Sequence, residues 1–217
     1  MIRKSLIPKS EWNRAITLYQ SGLSMNSVAK ELGVTLNAVT YVLRKMDVPR
    51  RNKAESNRLA FKAREPSFTI NKAADLAARE LEILGTTLYW GEGYKTEKSS
   101  GIDFANSDPD MIVVFLNFLR SRYNLDEKRL KILLYCYEDQ DVSDLIKFWG
   151  KLLNVNKANF TKPYIRKDFR SDGRKMKYGL VHIRYSDKKM LIDLLNMIES
   201  LRQKYRVGTQ VVNEGTL

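Results

Sequence analysis

Cysteine and histidine are almost missing from this chain: one of each, Cys136 and His182, in 217 residues. That excludes a disulfide framework, a cysteine-based zinc site and a histidine-rich metal centre. No apolar run approaches the roughly 18 residues that a membrane span needs. The opening MIRKSLIPKS is basic but lacks the apolar stretch of a secretory signal, so a cytoplasmic, nucleoid-associated location is expected. Acidic residues are few beside basic ones: 25 Asp and Glu against 38 Lys and Arg, a formal charge of +13. A chain this basic faces a polyanion, either nucleic acid or an acidic membrane surface, and without a membrane segment nucleic acid is the simpler partner. No pattern points to a small-molecule ligand. What is present in quantity is core-forming material, 43% hydrophobic and 10% aromatic, enough for folded domains, and the length suits two of them. The charge is uneven. Residues 1–72 hold 14 of the Lys and Arg but only 5 of the Asp and Glu, so +9 of the +13 sits in the first third.

Local signals divide residues 1–50 into three short helices. Ser10 is placed to cap a helix over 11–21, with Trp12, Ala15, Ile16 and Tyr19 on one face and Gly22 at its end. Ser24 caps a second, 25–32, which Gly33 stops. Thr35 caps a third over 36–46, and Pro49 closes the unit. Val28, Leu32, Val34, Val39 and Val42 form a miniature core. Ala29 is small enough for two helices to cross steeply, and Gly33 tolerates the positive φ of the turn. The stretch MNSVAKELGVTLNAVTYVLR (25–44) therefore resembles the DNA-binding helix-turn-helix of resolvases and bacterial repressors. That resemblance implies that Thr35, Leu36, Asn37, Thr40, Tyr41 and Arg44 face the major groove of double-stranded DNA, with Asn37 suited to adenine and Arg44 to guanine or a phosphate. Residues 51–72 read as a basic linker. Arg50, Arg51, Lys53, Arg58, Lys62 and Arg64 lie along phosphates or enter a minor groove as an arm, or else form a solvated helix.

Residues 73–205 form a second domain, with 206–217 as a tail. The pattern predicts a helix over 71–89, a strand over 101–106, a helix over 108–123 capped by Ser107, a strand over 128–137 and a helix over 141–153. A hairpin follows, 160–169 and 177–185, turning at Ser171–Arg174, and then a last helix over 188–204. Two stretches echo each other: GIDFANSDPDMIVVFLNFL (101–119) and GLVHIRYSDKKMLIDLLNMI (179–198), aligned on Ser107-Asp108 and Ser186-Asp187. Upstream, LYWGE (88–92) echoes KFWGK (147–151). If the echo is a genuine repeat, the domain holds two pseudo-symmetric units. The hairpin is basic, with Lys162, Arg166, Arg170, Arg174, Lys175, Lys177 and Arg184 and with Tyr164 and Tyr178 interleaved, which suits contact with DNA. Trp90 and Trp149 read as core anchors, Cys136 as a small core residue and His182 as an exposed strand residue. No pair of strand aromatics of the kind that binds RNA stands out.

The segment LGTTLYWGEG (84–93), the NSDP that follows and the later basic hairpin resemble the LAGLIDADG homing-endonuclease-like fold, in particular small prokaryotic proteins that join a helix-turn-helix to such a domain. The resemblance implies an α+β chain: a three-helix helix-turn-helix bundle followed by an αββα-type domain with an antiparallel sheet. In that family two motif helices pack closely through small residues, here Thr87 and Gly91. Each ends in a carboxylate that binds Mg²⁺ beside the scissile phosphate. Glu92 stands at that position as the catalytic and metal-binding residue. The second echo departs from the family, because Lys151 occupies the place of the partner carboxylate. The resemblance leaves two outcomes. Either the chain forms a homodimer that brings two copies of Glu92 together, or the nuclease site is degenerate and the fold serves a DNA-binding regulator, as in the sporulation regulators that carry such a domain.

Overall fold

In the first unit, residues 1–65, each helix stops where the backbone turns left-handed. Helix α1 spans Trp12–Gln20, α2 Met25–Glu31 and α3 Leu36–Lys45. Gly22, Gly33 and Asp47 follow them at φ 113°, 64° and 50°. Each bend is closed by a 6→1 hydrogen bond from the next amide: Leu23 to the Leu18 carbonyl at 3.3 Å, Val34 to Ala29 at 2.9 Å and Val48 to Leu43 at 2.9 Å. The caps expected for α2 and α3 are present, with Ser24 accepting from the Ser27 amide and Thr35 from the Ala38 amide. Ser10 is not a cap. It lies inside a 3₁₀ turn, Lys9–Glu11, that leads into α1 without a side-chain cap, and Trp12 ties this entry down by donating from Nε1 to the Ile7 carbonyl at 3.0 Å. Ala15, Val28, Ala29, Val34, Val39, Val42 and Leu43 are fully buried in the core, with Leu32 half-buried against them.

The structure is a computed structural model that describes residues 6–96, 98–167 and 176–213, with 207–213 as helix backbone only. It divides the chain between Glu65 and Pro66. The basic linker expected over 51–72 is therefore not a separate piece. Its first part is helix α4, Lys53–Ala63, started by a reciprocal capping box between Asn52 and Glu55. Its last part holds β1, Phe68–Ile70, a strand of the second unit.

The second unit is a mixed α+β domain. After β1 come α5 (Leu76–Glu92), β2 (Ile102–Asn106), α6 (Pro109–Arg122), β3 (Tyr123–Leu125), β4 (Leu130–Tyr137), α7 (Val142–Leu153), β5 (Tyr164–Arg166), β6 (Leu180–Tyr185) and α8 (Lys188–Asn213). Strands β1 and β3 pair antiparallel, and a four-stranded sheet has the order β2-β6-β4-β5. Along β4 burial alternates strictly: Leu130, Ile132, Leu134 and Cys136 are in the core, and the residues between them are half-exposed. Val181, Ile183 and Tyr185 of β6, Ile102 and Phe104 of β2, and Ile112, Phe115, Leu116, Phe118 and Leu119 of α6 join that core, together with Trp149 of α7 and Leu191 and Leu194 of α8. Among the described residues no helix is long and apolar enough to cross a membrane.

Several expectations change. The hairpin does not form: β5 pairs parallel with β4, while β6 lies between β2 and β4, antiparallel to both. The reason lies in the side chains. Strand β6 has a full apolar face and can take neighbours on both sides, whereas all three residues of β5 are exposed, as suits an edge strand. The sheet is consequently mixed rather than antiparallel. The αββα order does not start at α5, because β2 runs into α6 before the next strand; it occurs later, as α6-β3-β4-α7 and α7-β5-β6-α8. Asp108, not Ser107, caps α6, by accepting from the amides of Asp110 and Met111. The tail begins later than expected, since α8 runs to Asn213. The turn at Ser171–Arg174 lies outside the described residues.

The echo between 101–119 and 179–198 has a counterpart in the sheet. Strands β2 and β6 are neighbours, with Ile102 opposite Tyr185 and Asn106 opposite Val181. The repeat equates Ile102 with Val181 and Asn106 with Tyr185, so exchanging the two strands reproduces the same pairing about a local twofold between Phe104 and Ile183. Each strand leads into a helix capped by the aspartate of its Ser-Asp pair. Asp187 accepts from the amides of Lys189 and Met190, as Asp108 does at α6. The upstream echo is not matched in environment: Trp149 is fully buried while Trp90 is 38% exposed.

Candidate nucleic-acid interface

Burial of Ala38, Val39, Val42 and Leu43 fixes the rotation of α3. What remains outward is Leu36, Asn37, Tyr41, Arg44 and Lys45, with Thr35 and Thr40 half-buried at the margin. Lys45 was not anticipated, although it stands four residues from Tyr41 on the same face. Neither Arg44 nor Lys45 is in an ion pair with a described residue, and Asn37 is exposed. The Thr40 hydroxyl donates to the Leu36 carbonyl at 3.0 Å. Tyr41 rests edge-on against Trp12 with ring centroids 6.2 Å apart. The helix thus presents an amide, a phenol ring and two cations from a rigid base.

Arg50 is exposed. Arg51 is a correction. Its guanidinium closes the C-terminal end of α1, donating to the carbonyls of Gly22 at 3.0 Å and Leu23 at 2.6 Å and also to that of Tyr19. It lies 3.9 Å above the Tyr19 ring, whose hydroxyl accepts from the Arg51 amide at 2.9 Å. With its donors spent on carbonyls, Arg51 has an internal task rather than a phosphate to hold.

In the second unit the face of the four-stranded sheet opposite the core carries the polar and aromatic alternates: Asp103 on β2, His182 and Arg184 on β6, Lys131 and Tyr135 on β4, Tyr164 and Arg166 on β5. Lys162, Tyr164, Arg166 and Lys177 are exposed as expected, and Arg170, Arg174 and Lys175 lie outside the described residues. Arg184 donates to Asp103 at 2.8 Å, so part of its charge is offset. His182 is not exposed. It is 6% accessible, and its Nδ1 lies 2.7 Å from the other oxygen of Asp103. Tyr178 is not free for a ligand, because it stacks on Phe148 at 4.1 Å. Beside Tyr94 is a cleft of about 360 Å³, lined by Lys98, Ser99, Ser100, Asp103 and Arg184 among others.

Glu92 is exposed on the last turn of α5. Lys95 closes that end, donating to the carbonyls of Tyr89 at 3.2 Å and Gly93 at 2.6 Å. Burial draws the Lys95 ammonium below the usual lysine range, more than the Glu92 charge raises it. Thr87 and Gly91 also face outward, and the small residue that lets α5 approach another helix is Gly85. A Cβ there would meet Phe118 Cγ of α6 at 2.1 Å, whereas one on Gly91 would meet nothing. Among the described residues no group of three or more acidic, histidine or cysteine side chains is placed to hold a metal ion. One exposed carboxylate within reach of a lysine does not by itself fit Mg²⁺, which is held by several oxygen ligands.

The helix-turn-helix domain of resolvase matches residues 3–45. No curated protein and no solved structure matches the chain. The match covers α1, α2 and α3 together with the turns between them, so the first unit carries a helix-turn-helix of the resolvase type, an arrangement that binds double-stranded DNA.

Proposed function

We propose that this chain is a site-specific double-stranded-DNA-binding protein with a regulatory role, whose second unit is a degenerate LAGLIDADG-like domain that adds contacts to the same DNA. The observation that carries the reading is the outward face of α3, where Asn37, Tyr41, Arg44 and Lys45 stand exposed on a helix anchored by four buried neighbours. Asn37 is suited to the donor and acceptor edge of adenine, and Arg44 to guanine or a phosphate. Selection of bound sites from a random duplex library, followed by titration of the selected site, tests it. Replacing Asn37 and Arg44 together by Ala should abolish the preference and weaken binding at least tenfold; unchanged affinity and preference would sink the proposal.

A second reading, a Mg²⁺-dependent homing-type endonuclease, draws on one observation. Among the described residues of the second unit, the side of α5 that bears Thr87 and Gly91 is exposed, together with Ile83 and Leu84, so a second copy packing there would bring two copies of Glu92 near each other. Supercoiled plasmid carrying the selected site is the substrate that separates the readings. Cleavage by the wild type with Mg²⁺, lost in Glu92→Gln, establishes the nuclease. An intact plasmid with the site fully bound supports the regulator.

A further inference from the structure

The sheet face of the second unit assembles a row of rings that the sequence scatters over four segments. Tyr94 leads into β2, and its amide donates to the Asp103 carbonyl at 2.9 Å. Its ring lies 6.2 Å from His182 of β6, His182 lies 5.0 Å from Tyr135 of β4, and Tyr135 lies 4.9 Å from Tyr164 of β5. Successive planes differ by only 30°, 31° and 43°. The row therefore crosses the whole sheet, each ring leaning on the next. Its ends are open, with Tyr94 53% and Tyr164 55% exposed. Its middle is rigid: His182 is held by Asp103, which also binds Arg184. Basic side chains share the face, Lys131 on β4 and Arg184 on β6, and Lys98 stands in the cleft beside Tyr94.

From this arrangement we infer that the sheet of the second unit is a stacking platform for the unpaired bases of single-stranded DNA. Every base offers a flat face, so stacking on tyrosine tolerates any sequence, while the flanking cations hold the backbone. The interior of a duplex cannot use such a row, because its bases are already stacked on one another and only their edges reach a groove. DNA rather than RNA is the occupant because the same chain carries a duplex-DNA-binding helix-turn-helix, which would deliver the sheet to DNA opened beside the bound site. Tyr135 and Tyr164 stand far apart in the sequence and become neighbours only through the parallel pairing of β4 with β5.

The test is fluorescence anisotropy of the full chain with a labelled oligo-dT strand, the matching oligo-rU strand and a blunt duplex. The variants are Tyr164→Ala, Tyr135→Ala, each residue changed to Phe, and Asn37→Ala with Arg44→Ala. Each alanine change should weaken oligo-dT binding about tenfold and weaken it more than duplex binding, while Phe, which keeps the ring, should hold affinity near wild type. The helix 3 double variant should do the reverse, lowering duplex affinity and sparing oligo-dT, so failure of the helix-turn-helix reading and failure of this inference are separable. Tyr164 is exposed on an edge strand, so Tyr164→Ala folds, as circular dichroism will check. Absence of oligo-dT binding by the wild type, equal loss on duplex and single strand, equal loss with Phe and Ala, or tighter binding of oligo-rU than oligo-dT would each overturn the inference.

Discussion

Arg51 shows how one residue of a basic segment can be diverted from the surface to the scaffold. A helix ends with carbonyls that lack intrahelical partners, and the guanidinium reaches one of them, that of Tyr19, together with the Gly22 and Leu23 carbonyls of the turn that follows α1, while lying on the Tyr19 ring. Arg51→Ala should destabilise the first unit by about 2 kcal/mol, since hydrogen bonds from a charged donor and a cation–π contact are lost together. Chemical denaturation followed by circular dichroism measures it, and a loss of DNA affinity without any loss of stability would show that Arg51 instead touches DNA. Tyr89 makes a prediction at alkaline pH. Burial raises its phenol to about 12, and its hydroxyl donates to the Tyr94 carbonyl at 2.7 Å. A folded-state pKa above the unfolded value means that the stabilisation is complete below pH 10 and disappears as pH rises from 10 towards 12. Phenolate absorbance should therefore lag behind that of free tyrosine and rise together with unfolding of the second unit. Asp187 acts at the other end of the scale. Burial pushes its carboxyl up, but hydrogen bonds from the Ser67 hydroxyl and amide and from the amides of Lys189 and Met190 outweigh that and hold it below the ordinary aspartate range, so its contribution is present above about pH 4 and is lost as the pH falls through that lowered value.

At the scale of elements, the helices of the first unit were legible because their signals are local. Ser24 and Thr35 each reach an amide three residues on, and Gly33 occupies the left-handed bend itself. Ser24→Ala and Thr35→Ala should each lower the melting stability of the first unit by about 1 kcal/mol, with the larger effect on DNA affinity from Thr35, which starts the helix that faces outward. The sheet was not legible to the same degree. Its strands were located within a few residues, but which strand pairs with which depends on contacts far apart in sequence. The segments around Tyr164 and Leu180 read as a hairpin because they are close along the chain, and the stronger apolar face of β6 instead secured the centre of the sheet. His182 illustrates the same limit. As a single residue in a strand it read as solvent-facing, and only the pairing of β2 with β6 brings Asp103 to it.

For the whole molecule, electrostatics sets the expectation. A net charge of +13 binds a polyanion by displacing counterions, so the logarithm of affinity should fall linearly with the logarithm of salt concentration. Removing both Arg44 and Lys45 should flatten that slope by about 2 units if each meets a phosphate, because each neutralised phosphate contributes roughly 0.9. An unchanged slope would place those two side chains away from the backbone of the DNA. Calorimetry should resolve separate transitions for residues 1–65 and 66–217, which have separate hydrophobic cores.

The left-handed residues at the helix ends have a consequence for how this protein can change over time. A helix advances about 100° per residue, so one residue inserted between Gly33 and Leu36 would turn the buried stripe of Val39 and Val42 out of register with α1 and α2. Spinning α3 back about its axis would return Val39 and Val42 to the core and Asn37 and Arg44 to the outward face together, but only by giving up the bend that the Val34 amide closes and the Thr35 cap. Loop length in this unit is therefore under tighter constraint than side-chain identity: new target sites are reachable by point substitution on the outward face of α3, and scarcely ever by insertion or deletion in the bend before it.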